Sequence, residues 1–315
     1  MANQSLPITY AQEFQFLNTL QHGWSVNPLN NRYGSLILSG IFFGTTGTAQ
    51  ALGPDGLSPL AVGSGRLIFG ALLLWIITRF TTKTAIPIEK KDLWSASIGF
   101  TLYQLTFFSA VKSTGVTIGT VTALGSAPAL TGLIAFLLKG ERPSKRWFLA
   151  TAVTTCGIAV LSSAKGFSHF NLSGFLLALG AGASYSLFAV ASKSALTSGV
   201  GIPEAMTKII LLASVLGAPF LFVGDFAPFV SLHGIEMLVW LGLIPTALAY
   251  LAYAYGLIAV QASTASTLIL AEPATATLLA ALILRESLNQ RSLYGIAIIA
   301  CGLIYLAREK TTLKQ

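Results

Sequence analysis

The chain has 315 residues, of which 54% are hydrophobic and only 10% charged. Soluble domains carry roughly 25% charged residues, so this sequence cannot cover a water-facing surface, and lipid is the solvent that fits it. Its net charge of +8 would suit nucleic acid in a soluble protein. Here the basic residues stand between apolar stretches and read as membrane topology, with no nucleic-acid partner.

Residues 1–33 are polar and lack the basic start and apolar core of a signal peptide. They read as a disordered tail in which Tyr10, Phe14 and Phe16 suit a membrane surface. Ten apolar segments follow, each near the ~20 residues that a span needs. They are 34–52, 59–80, 92–111, 115–138, 146–163, 173–196, 204–224, 235–256, 262–284 and 291–307. The expected fold is all-α and integral to the membrane, with ten transmembrane helices. Gly53-Pro54-Asp55-Gly56 separates the first two, and a turn around Pro228 separates the seventh and eighth. Gly40 with Gly44, and Gly115 with Gly119, have the four-residue spacing that lets helices approach closely in lipid. Cys156 and Cys301 sit inside apolar segments and read as small packing residues rather than a disulfide.

Basic residues set the orientation. With the N-terminus in the cytoplasm, the cytoplasmic segments hold fourteen: Arg32, Arg79, Lys83, Lys90, Lys91, Lys139, Arg142, Lys145, Arg146, Lys193, Lys208, Arg308, Lys310 and Lys314. The outer loops hold four, Lys112, Lys165, Arg285 and Arg291, and Arg66 lies within a span. This bias predicts both termini inside.

The sequence also repeats itself. A shift of 145 residues aligns Pro128 with Pro273, Glu141 with Glu286, Arg146 with Arg291, Cys156 with Cys301 and Gly157 with Gly302, without a gap. About a dozen identities fall in about forty positions. The copies cover spans four–five and nine–ten. Five spans per copy is an odd number, so adjacent copies enter the membrane in opposite directions. Inverted repeats around a site near the midplane are a recurring transporter design.

With these features the chain resembles the EamA-type branch of the drug/metabolite transporter superfamily. The likeness rests on Pro128, Glu141 and Gly157, on Glu272-Pro273, Glu286 and Gly302, and on Arg66 in GSGRLIFGALLL. The stretch GTTGTAQALGPDGLSPLAVGSGR is similar to the branch described as carboxylate, amino-acid and amine carriers. The resemblance implies five-helix repeats at 34–163 and 173–307, flanked by cytoplasmic tails at 1–33 and 308–315. It also implies an exporter of amino acids, amines, carboxylates or related metabolites in the bacterial inner membrane.

Charge inside a span is costly, at least about 2.5–3.5 kcal/mol near the centre. Glu272 lies ten residues into its span, about 15 Å deep, and Pro273 frees a backbone carbonyl one turn earlier. Glu272 is a candidate to bind a substrate amine or to carry a proton; the alternative is a structural carboxylate bonded to neighbouring helices. Arg66 could bind a carboxylate, pair with Glu272 or snorkel. Tyr103, Gln104, Phe107 and Phe108 form one stripe, and Tyr250 and Tyr253 another, with Phe108 and Tyr253 related by the 145 shift. The stripes fit an aromatic-lined cavity or, alternatively, plain packing. Pro128 and Pro273 are the expected helix breaks. Gln50, Thr122, Ser126 and Thr267 are weaker candidates. Glu141 and Glu286 read as clamps on neighbouring helices.

No ATP-binding loop, metalloprotease motif or nucleophile elbow is present. His22, His169 and His233, and Asp55, Asp92 and Asp225, lie outside the spans or at their edges. No cofactor, metal site or catalytic residue is therefore expected, and the chain reads as a non-enzyme. Its expected partners are the bilayer and a small-molecule substrate. Three readings remain open: a proton-coupled carrier, a proton-independent facilitator, and a scaffold or receptor without flux. The sequence is compatible with a monomer or a homodimer.

Overall fold

The computed structural model describes residues 28–80, 86–164, 171–223 and 227–308. The readings placed on Tyr10, Phe14, Phe16, His22, Lys83, Lys165, His169, Asp225, Lys310 and Lys314 lie outside these residues. All regular structure among the described residues is helical, and eight helices are long and apolar enough to cross a membrane.

The helices are α1 (Pro28–Ala51), α2 (Pro59–Arg79), α3 (Lys90–Lys139), α4 (Lys145–Ser163), α5 (Leu172–Thr197), α6 (Ile202–Gly217), α7 (Leu232–Gly242), α8 (Ala249–Leu257), α9 (Ala262–Leu268), α10 (Ala271–Ile283) and α11 (Gln290–Ala307). Helix α1 starts inside the stretch expected to be tail. Proline suits the first turn of a helix, and Arg32 anchors this end by stacking over the Tyr255 ring and donating to the Tyr255 carbonyl at 2.9 Å. Short polar caps open several other helices: Ser144, Asn171, Ser231 and Asn289 each accept from a backbone N–H of the first turn.

Helix α3 contains two of the expected spans. They turn back at Gly115, whose φ of 83° and ψ of 161° are open to glycine but strained for any residue with a Cβ. Gly119 then packs against Val111 across the bend. Span eight is one unit of α7 and α8 joined by a π-helical turn, Leu243–Leu248, that carries Pro245. Thr246 Oγ1 returns to the Leu241 carbonyl at 2.7 Å to satisfy part of that irregular turn.

The two prolines expected to break helices behave differently. Before Pro273 the helix is interrupted at Ile269–Leu270, and the Ile269 carbonyl accepts instead from the Glu272 N–H at 2.9 Å. Around Pro128, by contrast, α3 stays helical, which corrects the expected break there. Hydroxyls attend the neighbouring carbonyls: Ser186 and Thr131 donate to Ala127, and Ser126 donates to Ala123. The carbonyl that loses its helical donor to Pro128 is that of Leu124, four residues earlier, rather than Ala127.

The helix directions follow from close pairs. Helices α4 and α11 run antiparallel, since Gly157 meets Gly295 and Ile299 whereas Gly302 meets Thr154 and Ala150. These contacts exchange with one another under the 145 shift. Helices α2 and α6 are also antiparallel, joined at Ser64 to Gly217 and at Thr78 to Thr207, as are α1 and α7–α8, joined at Arg32 to Tyr255 and at Thr45 to Trp240. Helix α1 runs parallel to α9–α10: a Cβ at Gly40 would lie 2.7 Å from the Ile269 carbonyl oxygen, and one at Gly44 would lie 2.8 Å from that of Glu272. The expected close approach at Gly40 and Gly44 is therefore made, against the interrupted helix. The second limb of α3 runs parallel to α5, through Gly182 beside Ala123 and Thr131 bonded to Ser186 at 2.9 Å.

Candidate functional site

Glu272 stands in the first turn of α10, directly after the interruption, and is half-buried. Arg66 is carried by α2 and is only 7% exposed. Its Nη2 donates to the Pro245 carbonyl over a long 3.4 Å, and its Nε is buried without an acceptor. Among the described residues no ion pair joins Arg66 to Glu272, yet the two lie within electrostatic reach of each other and of the Tyr103 and Tyr250 hydroxyls. Two opposite charges thus share one buried region without neutralising each other in direct contact. In low dielectric such an arrangement is costly, and a ligand that contacts both would relieve it.

Aromatic side chains build the wall. The Tyr250 ring lies 4.9 Å from both Phe43 and Phe100 and 5.6 Å from Phe188, all edge-on. Tyr253, 1% exposed, stacks against Phe188, and its hydroxyl accepts from Tyr185 at 3.3 Å. Tyr103 packs at 5.6 Å from Tyr185 and 5.7 Å from Phe107. Tyr253 and Tyr250 therefore lie within the packed cluster, and Tyr103, half-buried, is at its edge, within reach of both charges as Tyr250 is.

Sequence reasoning placed the other stripe residues less well. Phe108 turns to α2 and lies over Gly63, away from the cluster's centre. Gln104 is 6% exposed, and its Nε2 has no partner among the described residues. Phe43, Phe100, Tyr185 and Phe188 were missed. The 145 shift could not have found them, because the contacts relate α1 to α5 by 142 residues, Gly44 with Ser186 and Phe43 with Tyr185. Pro245, which supplies the carbonyl to Arg66, was visible only as a proline within a span.

A second polar cluster surrounds α9, whose residues are all buried. Ser266 donates to Thr131, whose hydroxyl lies 2.9 Å from that of Ser186. Thr267 accepts from the Trp147 indole at 3.0 Å and shares a 2.9 Å bond with Thr151. These hydroxyls satisfy one another and the backbone. Glu141 clamps its neighbours as expected: it pairs with Lys193 at 2.8 Å and accepts from the Ala262 N–H at 3.2 Å. Glu204 and Lys208 form the expected i, i+4 pair at 2.7 Å. No group of three or more potential metal ligands occurs among the described residues.

A family model described as the EamA-like transporter family matches residues 33–163 and 172–308. The chain belongs to this family. A relative named "Uncharacterized transporter YwfM" from Bacillus subtilis (strain 168) is 36% identical over 278 residues, covering 86% of this chain and 92% of the relative. An uncharacterized transporter from Archaeoglobus fulgidus is 26% identical over 281 residues, covering 88% and 97% of the two chains. A solved crystal structure superposes with a TM-score of 0.74 at 20% identity, over 87% of this chain and 95% of the other, which shows a shared fold. As a member of the EamA-like family the protein is a multi-pass membrane transporter of the drug/metabolite type. Its surroundings are the lipid bilayer and its cargo a small molecule.

Proposed function

We propose that this EamA-like protein is a secondary carrier that moves an amino acid, amine or carboxylate by alternating access. The eight long apolar helices, α1 and the first limb of α3 together make ten spans, arranged as inverted five-helix repeats at residues 34–163 and 173–307. The observation that carries the reading is the pair Arg66 and Glu272. They come from different repeats, are held near each other without an ion pair, and sit beside an interrupted helix and an aromatic wall. Arg66, with the buried Nε2 of Gln104, suits a carboxylate. Glu272 suits an amine or a proton, and Tyr103, Tyr250 and Tyr253 supply the apolar side, with Phe108 lining the approach beside α2. A discontinuous helix at mid-depth is the usual carrier solution for presenting backbone to a solute. Both termini lie in the cytoplasm of a bacterial cell and the cargo leaves across the plasma membrane; the outward direction follows the family resemblance.

Glu272→Gln separates proton coupling from simple facilitation. In proteoliposomes, the coupled carrier keeps counterflow in this variant but loses pH-driven net flux. If pH-driven flux and counterflow both match the parent, Glu272 is not the coupling residue.

A further inference from the structure

The two halves are not in equivalent states, and the difference can be read residue by residue. Symmetry-related positions share the same exposure to lipid, so unequal burial between them reports the gap between the halves. On the end where α1 begins and α11 finishes, here the termini end, Ala127, Pro128 and Thr131 are buried, whereas their equivalents at the opposite end, Glu272, Pro273 and Ala276, are half-buried. Helix α9 is buried throughout, whereas in its equivalent stretch Ile118, Thr120, Val121 and Thr122 are half-buried and Gly119 and Ala123 are buried. The termini end is shut and the opposite end is loose.

One contact at the shut end crosses between the halves. Glu141, from the first half, pairs with Lys193 at 2.8 Å and caps the Ala262 N–H at 3.2 Å, and Lys193 Nζ donates to the Val260 carbonyl at 2.7 Å. Both side chains are less than one-fifth exposed, so water screens the pair only partly. Gln261 adds a bond to the Arg142 carbonyl at 3.1 Å. The first half offers no counterpart of Lys193: α1, which corresponds to α5, contains no lysine.

We propose that the Glu141–Lys193 contact is a latch that holds the termini end closed, so that the opposite end is the resting opening of the carrier. This rests on the carrier reading above and adds the control of access to the same site. The latch favours one state by its own differential interaction and by nothing else.

The test uses two symmetry-related reporter cysteines, Ser266→Cys at the shut end and Val121→Cys at the loose end, each in a Cys156→Ala/Cys301→Ala background. Purified protein in nanodiscs is labelled with a membrane-impermeant maleimide. The latch predicts faster labelling at 121 than at 266. Lys193→Thr, and separately Glu141→Gln, then raise the rate at 266 by about fivefold, while Lys193→Arg leaves it low. Two variants guard against a single failure to fold. An unchanged rate at 266 in a monodisperse Lys193→Thr or Glu141→Gln protein overturns the latch. The readout needs no substrate, so it decides the latch independently of any flux assay of the carrier reading.

Discussion

Arg66→Ala lowers exchange of a carboxylate-bearing solute by about 100-fold, since a hydrogen bond to a charged group in a dry site is worth roughly 1.5–3 kcal/mol. The same substitution leaves thermal stability unchanged or higher. Arg66 has one long contact, 3.4 Å to the Pro245 carbonyl, and an unsatisfied Nε, so the fold gains little from its charge. Replacing a poorly compensated buried charge by an apolar residue is often neutral or stabilising. Arg66→Lys recovers only part of the exchange, because an ammonium keeps the charge but loses the planar fork. Exchange and melting temperature measured on the same preparations check this. A structural arginine would give the reverse pattern, with stability lost and exchange retained.

Gly157→Val lowers the melting temperature by about 2–5 °C, from roughly 1–3 kcal/mol of overpacking in a chain of this size. The new Cβ would lie 2.8 Å from the Ile299 backbone nitrogen and 3.1 Å from the Gly295 carbonyl oxygen. Backbone cannot rotate away as the end of a long side chain can. Gly302→Val, its symmetry mate, meets the Thr154 hydroxyl and the Ala150 carbonyl oxygen and falls similarly. Gly47→Ala, with nothing within 4 Å of its Cβ, leaves the transition where it was. Detergent melting curves of the three variants separate a packed helix pair from a general intolerance of glycine replacement.

The sequence made some of this legible and withheld the rest for a physical reason. The apolar runs located the helices within a few residues, and the Glu272-Pro273 step marked the interrupted helix. Partner faces were not legible, because a helix in lipid is apolar on its exposed and its packed sides alike. That is why Phe108 was grouped with Tyr103 although it turns towards Gly63, and why Phe43 and Phe188 were overlooked. Pro128 and Pro273 look equivalent in the alignment, yet one leaves its helix intact. The Glu141 clamp was foreseen, whereas its lysine partner, 52 positions along the chain, had no local signal.

The proposed carrier holds its solute at a pair of opposite charges, Arg66 and Glu272, kept apart within the bundle. Its most direct test is counterflow in proteoliposomes with a panel of radiolabelled amino acids, amines and carboxylates. At least one compound is expected to accumulate transiently above the level of empty liposomes, and the Arg66→Ala/Glu272→Gln double variant to abolish that accumulation. Counterflow that survives unchanged in the double variant, or its absence for every compound in the folded parent protein, would contradict it.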